Sequence, residues 1–522
     1  MNHRRVTLTG IKKPAIVWFC LAIAGVVVIR WFTQNGISLW EDSFDYITAA
    51  SSLAEGRGYG RLDGYGAFRP LTHFPPAYPL LLAGLEIIGV GIYDGARWLN
   101  AVLFGLLIFG SGWLVYRLTR SAAWSIAAAG LVLVSETLIY AHLWALTEPL
   151  YLALTVTCLI ALGSYISRPN RRAPLLIGAA AASLALLTRY AGIATTMAGA
   201  AALIVLAYRP LRRRLLDAGL FLGIAAAPAA LFLLRNLSLA GTVTDDPSPT
   251  WQPPLRDEWV ETLRIVLSWF LPDVVMERLD SGAIIMIAIV SLVLLIALLA
   301  WVFRLRQTAD RSGDKDTWPF LWILMFYLLA YLLVYPGALF WMERLFPADE
   351  RLLTPILWAL LLLVPGLMGV AWRRSQRLPR ILLLAAFGAL VTVQLLRAWG
   401  LPSIYSRMSL GFASDRWRES ETIAAINQFP NVLIYSNEIQ SIYFLADRNA
   451  IFVPTPYNPA TLVTRSDYPA ALEQMRDNMR EQDARLVLFQ PWALDDTYLQ
   501  QLTAGLLLGG DFDDGQWYYW PQ

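Results

Sequence analysis

Hydrophobic positions are grouped over most of the chain into runs of about 16 to 24 residues, the length a helix needs to cross a bilayer. Polar and basic segments separate these runs. The pattern predicts eleven membrane-spanning helices, near residues 15–33, 96–117, 122–141, 149–167, 173–188, 190–208, 214–236, 281–304, 318–337, 350–371 and 380–399. The first of them is expected to be retained, because Arg30, Trp31 and Phe32 follow it where a cleavage site would need small residues.

The apolar segment 76–92 is the exception to this pattern. It is short, and Pro79, Glu86 and several glycines interrupt it. We expect a helix that lies in the outer interface or is only partly inserted. A full crossing is the alternative, and it would put the later basic clusters out of phase with the N-terminus.

Basic residues give the predicted orientation. They cluster at residues 1–14, 117–120, 168–172, 209–214, 304–315 and 373–380. If 76–92 does not cross, the positive-inside rule puts all six clusters and the N-terminus in the cytoplasm. The acidic segment 41–45, the loop 237–280 and everything after residue 400 then lie outside the cell or inner membrane.

After residue 400 the apolar runs shorten to strand length, at 432–436, 450–454 and 485–489. Helix-like polar stretches at 415–428 and 468–482 separate them. Short buried strands between helices are typical of an α/β fold. The sequence therefore predicts a polytopic α-helical membrane domain, residues 1–400, and a small extracytoplasmic α/β domain, residues 401–522.

Composition agrees with a membrane protein. Of 522 residues, 57% are hydrophobic and 16% charged, with a mean hydropathy of +0.49; soluble proteins carry about 25% charged residues. Cys20 and Cys158 lie in apolar runs, and the three histidines lack metal-ligand spacing. We expect no dedicated metal site, and the absence of a basic stripe interleaved with aromatics gives no reason to expect a nucleic-acid partner.

Three carboxylates, Glu41, Asp42 and Asp45, directly follow the first hydrophobic run. Ionisable groups beside hydrocarbon are costly and tend to be functional. We expect Asp42 to cap a helix over 43–53 and, between aromatic neighbours, to be desolvated enough to serve as a general base. Capping alone is the alternative. For Glu41 and Asp45 a solvated position is the simpler interpretation, although Asp45 remains a candidate for substrate contact.

Four further residues are candidates for the same site. Glu148 opens a helix and either interacts with its N-terminus or supplies a second acid. Arg189 lies between two barely separate runs, where it either binds a phosphate oxygen or pairs with an acid. Arg351 has the same two interpretations. His73 is a weaker candidate for phosphate contact.

Five motifs occur in an order that resembles a known family. They are D-S-F-D-Y-x-x-A-A-x-x-L-A-E-G-R-G-Y with F-P-P-A-Y-P-L-L-L-A-G in the first loop, L-T-E-P-L-Y-L-A-L at 146–154, L-L-T-R-Y-A-G at 186–192, E-R-L-L-T-P at 350–355 and Y-S-N-E-x-x-S-I-Y-F-L-A-D-R at 435–448. Together they resemble the GT-C-fold glycosyltransferases that use polyprenyl-phosphate sugars, such as protein O-mannosyltransferases and the lipid A aminoarabinose and galacturonic acid transferases.

The resemblance implies that Asp42, four residues before Tyr46, is the catalytic residue and that Arg189 faces a lipid phosphate. Ser43 stands where many relatives have Glu, so the second carboxylate would have to be Glu41 or Glu148. Tyr46 would help to form the substrate site.

The expected reaction is inverting transfer of a sugar from a polyprenyl-phosphate carrier to a hydroxyl of a lipid, glycan or protein at the outer membrane face. The arginines can supply the positive charge, so the sequence requires no cofactor, and a divalent cation has no support in it. The alternative is a multi-pass transporter or lipid flippase with an external accessory domain.

Overall fold

The structure, a computed structural model, describes residues 9–521 apart from 170, 208, 245–255, 292, 294–299, 301–317, 340–348, 375–376, 406–408, 430 and 458–463. Within these ranges the chain is a bundle of apolar helices joined to a small mixed sheet. Seven helices are long and apolar enough to cross a membrane, and an eighth span is added if one bent helix pair is counted.

The helices of the bundle follow one another with short connections. They are α1 (Thr9–Phe32), α4 (Ile92–Thr119), α5 (Ala122–Leu133), α6 (Glu136–His142), α7 (Glu148–Ser167), α8 (Ala173–Thr188), α9 (Gly192–Leu206), α10 (Leu211–Ala240), α13 (Ser281–Ser291), α14 (Trp318–Leu339), α15 (Glu350–Arg374) and α16 (Arg377–Trp399). The first loop contains α2 (Glu41–Ala54) and α3 (Ala77–Ile87). Between α10 and α13 lie α11 (Arg256–Ser268) and α12 (Asp273–Met276).

Each predicted span coincides with helix in the described residues, although part of the span at 281–304 lies outside them. The predicted span at 122–141 is interrupted, because α5 and α6 meet at a bend of 56°. Helices α8 and α9 have only 16 and 15 residues, and Arg189 lies at the break between them. The helix α3 (Ala77–Ile87) has 11 residues, as expected for a segment too short to cross the bilayer.

The first loop contains more regular structure than its sequence indicated. Helix α2 (Glu41–Ala54) is followed by a hairpin of β1 (Gly60–Leu62) and β2 (Phe68–Pro70), and then by α3. Most residues of α2 are buried although the helix is not strongly apolar. It packs on α3 and on the hairpin, so its position is determined by the whole loop.

The C-terminal part forms a five-stranded sheet with the order β4-β3-β5-β7-β6. Strands β3 (Ile434–Ser436), β4 (Ile451–Phe452) and β5 (Arg485–Phe489) are parallel, while β6 (Leu507–Phe512) and β7 (Gly515–Tyr519) form an antiparallel hairpin. Six helices accompany the sheet: α17 (Leu401–Tyr405), α18 (Asp415–Arg418), α19 (Glu421–Ile426), α20 (Ile439–Ala446), α21 (Tyr468–Glu481) and α22 (Asp496–Thr503). The three predicted strands are present, and the hairpin was not predicted.

A short backbone ladder joins the loop, the bundle and the sheet domain. Ser38 bonds to the backbone around Trp144, with its N–H donating to Leu143 O at 3.0 Å. Leu39 accepts a hydrogen bond from Phe412 N–H at 3.0 Å and donates to Leu410 O at 3.3 Å. The residues that begin α2 are therefore held between α6 and the sheet domain. We call the end of the bundle that carries this ladder the domain-bearing face.

Gly411 is required at this ladder for two reasons. Its φ of +60° lies in the left-handed region, which costs a residue with a Cβ roughly 1–2 kcal/mol. A Cβ there would also collide with the carbonyl oxygen of Leu39.

We therefore expect Gly411→Ala to lower the melting temperature of the purified protein more than Gly66→Ala. Gly66 has a φ of +75° but no atom within 4 Å of a Cβ. Its substitution therefore measures only the cost of a positive φ for a residue with a Cβ. Thermal unfolding monitored by tryptophan fluorescence compares the two variants. Equal shifts would mean that the close approach at Leu39 contributes nothing.

Candidate active site

Polar groups from four elements converge at the domain-bearing face. Asp42 comes from the first turn of α2, Glu148 from the start of α7, Arg189 from the break between α8 and α9, and Arg351 from the start of α15. Each lies at the end of an apolar helix or beside one. Residues more than 300 positions apart in sequence therefore share one cleft.

Glu148 and Arg189 form an ion pair of 2.5 Å between Oε1 and NH1, with 6% and 20% of their side chains exposed. The same arginine donates to Thr147 Oγ1 at 3.1 Å. Arg189 thus adopts the ion-paired alternative of the two considered from sequence. The second carboxylate oxygen of Glu148, Oε2, is buried and has no hydrogen-bond partner among the described residues. Because buried polar atoms are normally satisfied, this oxygen indicates room for a polar ligand or water.

Asp42 lies opposite this pair and next to Arg351, with Oδ2 and NH1 4.0 Å apart. Arg351 is held by Asp349 at 2.6 Å, and its guanidinium lies over the ring of Trp40, 5.5 Å from the centroid. The Asp42 side chain keeps 38% of its surface exposed, so its carboxylate opens into the cleft. Asp42 is therefore accessible from the cleft, with the positive charge of Arg351 beside it.

The expectation that Asp42 caps the helix is wrong. Helix α2 begins two residues earlier than expected, at Glu41, and Trp40 occupies the cap position. The backbone N–H of Trp40 donates to Ser43 Oγ at 3.0 Å. The serine therefore satisfies the start of the helix, and the Asp42 carboxylate is not needed for it.

The surroundings raise the pKa of Asp42 to about 6. Burial is the largest cause, because desolvation disfavours the charged form. The charge of Arg351 lowers the pKa, Glu148 raises it, and Arg189 and Asp45 contribute smaller opposing effects. Glu148 and Arg189 thus lie close enough to Asp42 for their charges to affect its pKa.

Tyr46 forms the floor of the cleft one turn further along α2. It is buried against the rings of Phe74 and Tyr78, at centroid distances of 4.8 and 5.7 Å. Burial, followed by the charge of Asp42, raises the pKa of its hydroxyl well above the usual value. Tyr46 is therefore neutral and can act as a hydrogen-bonding group.

Asp45 is not solvated as expected. Its side chain is 22% exposed and pairs with Arg61 of the β1–β2 hairpin at 2.6 Å. The Arg61 guanidinium also lies over the ring of Phe44, 5.0 Å from the centroid. Asp45 thus joins α2 to the hairpin beside the cleft.

Two other predicted residues lie apart from the charged group. His73 is exposed, with Nδ1 3.4 Å from the carbonyl oxygen of Thr244 and its ring against Phe74. Within the described part of the chain it makes no hydrogen bond or ion pair with Asp42, Glu148, Arg189 or Arg351. Glu41 is exposed and lines a separate cavity that it shares with Glu438.

A second charged group at the same face was missed from sequence. Arg397, near the end of α16, bonds to Glu136 at 3.0 Å and to Glu350 at 3.6 Å. Glu350 also accepts hydrogen bonds from Thr137 Oγ1 at 2.5 Å and Trp269 Nε1 at 3.0 Å. The available signal was the occurrence of acids and arginines at the ends of apolar runs. Because Glu350 directly precedes Arg351, this group fixes the start of α15 on which Arg351 depends.

A resident metal has no evident place in the described ranges, since none of their His, Cys, Asp and Glu side chains form a group of three or more that could hold an ion. The positive charge of the cleft comes from Arg189 and Arg351.

No protein-family model and no curated protein matches the sequence. Solved structures do match the fold. ArnT from Cupriavidus metallidurans, bound to undecaprenyl phosphate, superimposes with a TM-score of 0.60 at 14% identity, covering 97% of this chain and 99% of that one. The oligosaccharyltransferase AglB from Archaeoglobus fulgidus, in complex with an inhibitory peptide and a dolichol-phosphate, gives 0.53 at 12% identity, covering 92% and 70%.

These similarities extend over the membrane helices and the sheet domain together. At such low identity they concern the fold. They confirm the predicted fold: the chain shares the fold of ArnT and AglB, a membrane helix bundle joined to a small sheet domain.

The raised pKa of Asp42 predicts a stability effect. The folded chain binds this proton more tightly than the unfolded chain, whose carboxyl has a pKa near 3.8. Ionised Asp42 therefore opposes folding above about pH 6, and this opposition disappears towards pH 4. We expect Asp42→Asn to have a melting temperature equal to or above that of the unsubstituted protein at pH 8, with the difference shrinking as the pH falls to 4.

Asp94→Asn is the matched control for this measurement, because its carboxylate is 60% exposed and pairs with Arg97 on the same helix. Its melting temperature is expected to differ little from that of the parent at either pH. A lower melting temperature for Asp42→Asn at pH 8 would contradict the account given for Asp42.

Proposed function

We propose that this protein is an inverting glycosyltransferase. It transfers one sugar from a polyprenyl-phosphate carrier to an acceptor hydroxyl, with Asp42 as the general base. The observation that carries the proposal is the convergence of Asp42, Arg351 and the Glu148–Arg189 pair at one end of a membrane helix bundle of this fold. An amphiphilic donor accounts for a transferase site at a membrane surface, since its tail stays in the bilayer while its head group enters the cleft.

The groups in the cleft are suited to a single displacement at the anomeric carbon of the donor sugar. The acceptor oxygen attacks the anomeric carbon as the bond from that carbon to the phosphate oxygen breaks. The hydroxyl proton passes to the Asp42 carboxylate, and the electron pair of the broken bond leaves with the polyprenyl phosphate. One displacement from the opposite face inverts the configuration. A base with a pKa of about 6 is ionised at neutral pH and still basic enough to accept this proton.

The leaving phosphate gains negative charge in the transition state, and fixed cations stabilise such charge when they are already in place. Arg351 is the better placed of the two arginines, because it is next to the carboxylate that receives the proton. Arg189 is committed to Glu148 and acts mainly through its charge. In this scheme Glu148 holds Arg189, and its unpaired oxygen Oε2 orients a hydroxyl of the substrate.

The sheet domain and the domain-bearing face are proposed to be extracytoplasmic. Basic clusters at 117–120, 168–172 and 209–214 lie at the opposite ends of α4, α7 and α9, as the positive-inside rule requires. The membrane would then be a plasma or inner membrane with the N-terminus in the cytoplasm. The fold shared with ArnT and an oligosaccharyltransferase favours this transferase over a transporter or flippase.

The direct test is turnover. Purified protein is incubated with a panel of radiolabelled polyprenyl-phosphate sugars, and the label transferred to a membrane extract or released to water is measured. We expect consumption of at least one donor. If no donor in the panel is consumed while the protein remains folded, the proposal fails.

Removal of the base gives the first kinetic prediction. We expect Asp42→Asn to lower kcat by about 10²- to 10⁴-fold, the range that a positioned base contributes. The shape of the side chain is retained, so donor binding should persist. Asp94→Asn at the same face serves as the control and should keep full activity. A fully active Asp42→Asn enzyme would exclude the proposed role.

The pH dependence of the reaction gives the second kinetic prediction. Because Asp42 must be ionised to accept a proton, kcat/KM should rise with pH and level off above about 6. The charge of Arg351 lowers the pKa of Asp42. We therefore expect Arg351→Gln to move the inflection to higher pH in addition to lowering the rate. An inflection that moves downward, or does not move, would assign the titration to another group.

A further inference from the structure

A cavity of about 190 Å³ lies beside the cleft, between the start of α2 and the sheet domain. It is smaller than the ~300–1,000 Å³ pockets that enclose drug-sized ligands, so a single small ring is an appropriate occupant. Its lining residues come from three separate segments: Leu39, Trp40 and Glu41; Gly411, Phe412 and Trp417; and Glu438. The proposed reaction uses none of them directly.

Aromatic rings form much of the lining. Trp40 is 40% exposed, which is high for a residue between a buried helix and a folded domain. Phe412 packs against Trp417 with the ring centroids 5.3 Å apart. Aromatic walls with a few polar groups are typical of sites that bind small organic rings.

Two carboxylates supply the polar groups. Glu41 comes from α2, and Glu438 precedes α20. Burial and, to a smaller extent, the charge of Glu41 raise the pKa of Glu438 to about 7, against the opposing effect of Arg416 of α18. Ionised carboxylates only accept hydrogen bonds. An occupant with several hydrogen-bond donors would relieve the repulsion between these two acids.

We propose that this cavity is the acceptor subsite and that it binds a hydroxyl-rich sugar ring, with Glu41 and Glu438 accepting its hydroxyls. The inference rests on the proposed function and specifies the class of acceptor. Trp40 lines the cavity, and its ring lies against the Arg351 guanidinium, which is 4.0 Å from Asp42, so a ring held here adjoins the charged group.

The residues that line the cavity favour the acceptor over the donor as its occupant. Phe412, Trp417 and Glu438 belong to the sheet domain rather than to the membrane helices among which a polyprenyl tail would lie. Trp40 connects the two sites, because it lines the cavity and also carries the Arg351 guanidinium.

Saturation-transfer NMR on the full-length protein in detergent tests the binding. The probe is methyl β-glucopyranoside at pH 8, where Glu438 is ionised. We expect saturation transfer to the ring protons, and about tenfold weaker binding by Glu438→Gln, because one charge-assisted hydrogen bond is lost. Lowering the pH through 7 should weaken binding by the parent protein and leave Glu438→Gln unchanged.

Glu421→Gln is the matched control, since Glu421 is exposed in the same domain and does not line the cavity. It should bind as the parent does. Glu41→Gln provides a second variant in case Glu438→Gln does not fold, and it should also weaken binding. The amine analogue methyl 2-amino-2-deoxy-β-glucopyranoside is tested in parallel. Binding of the amine alone would overturn the proposal in favour of a cation site, and equal probe binding by all variants would overturn it altogether.

Donor hydrolysis separates this inference from the proposed function. Slow release of sugar from the polyprenyl-phosphate donor to water requires Asp42 but no acceptor ring, so Glu438→Gln should retain it. If the parent protein consumes no donor, the proposed function fails. If it consumes donor while Glu438→Gln binds the glucoside as tightly as the parent, only the acceptor subsite is excluded.

Discussion

The ion pair between Glu148 and Arg189 is the constraint on which the rest of the site depends. Both side chains are largely removed from water, and a buried charge without its partner costs about 3–5 kcal/mol. The start of α7 and the break between α8 and α9 must therefore meet. The break is itself necessary, because a continuous helix through Arg189 would carry the charge into hydrocarbon. The break between the short helices α8 and α9 consequently allows the Arg189 cation to lie at the membrane surface.

Charged groups of the same site also set the pKa of Asp42. Desolvation raises its pKa, and the charge of Arg351 counteracts this effect. Arg351 in turn is oriented by Asp349 and by the ring of Trp40, while Glu350 beside it is fixed by Arg397, Thr137 and Trp269. The cleft thus contains comparable numbers of acids and arginines.

The sequence indicated these features to different degrees. Long apolar runs predicted the bundle, because bilayer thickness imposes a length on any spanning helix. The residues Asp42, Glu148 and Arg189 were identifiable because charges beside hydrocarbon are rare. The hairpin β6–β7 was missed since Gly509 and Gly510 break its alternation, and they do so to accommodate the ring of Trp517. Asp45 was expected in solvent because its partner, Arg61, belongs to a hairpin that local pattern did not reveal. Glu438 could not be related to Glu41 at all, as almost 400 residues separate them.

The backbone ladder at Ser38 and Leu39 has a mechanical consequence. Three residues before the proposed base, the chain is hydrogen-bonded on one side to the bundle and on the other to the sheet domain. The sheet domain is therefore not attached to the bundle by a flexible linker alone. Any tilt of it would strain peptide bonds within about 10 Å of the reacting carboxylate, given about 3.3 Å per extended residue. The helix bundle and the sheet domain are therefore expected to move together at this junction.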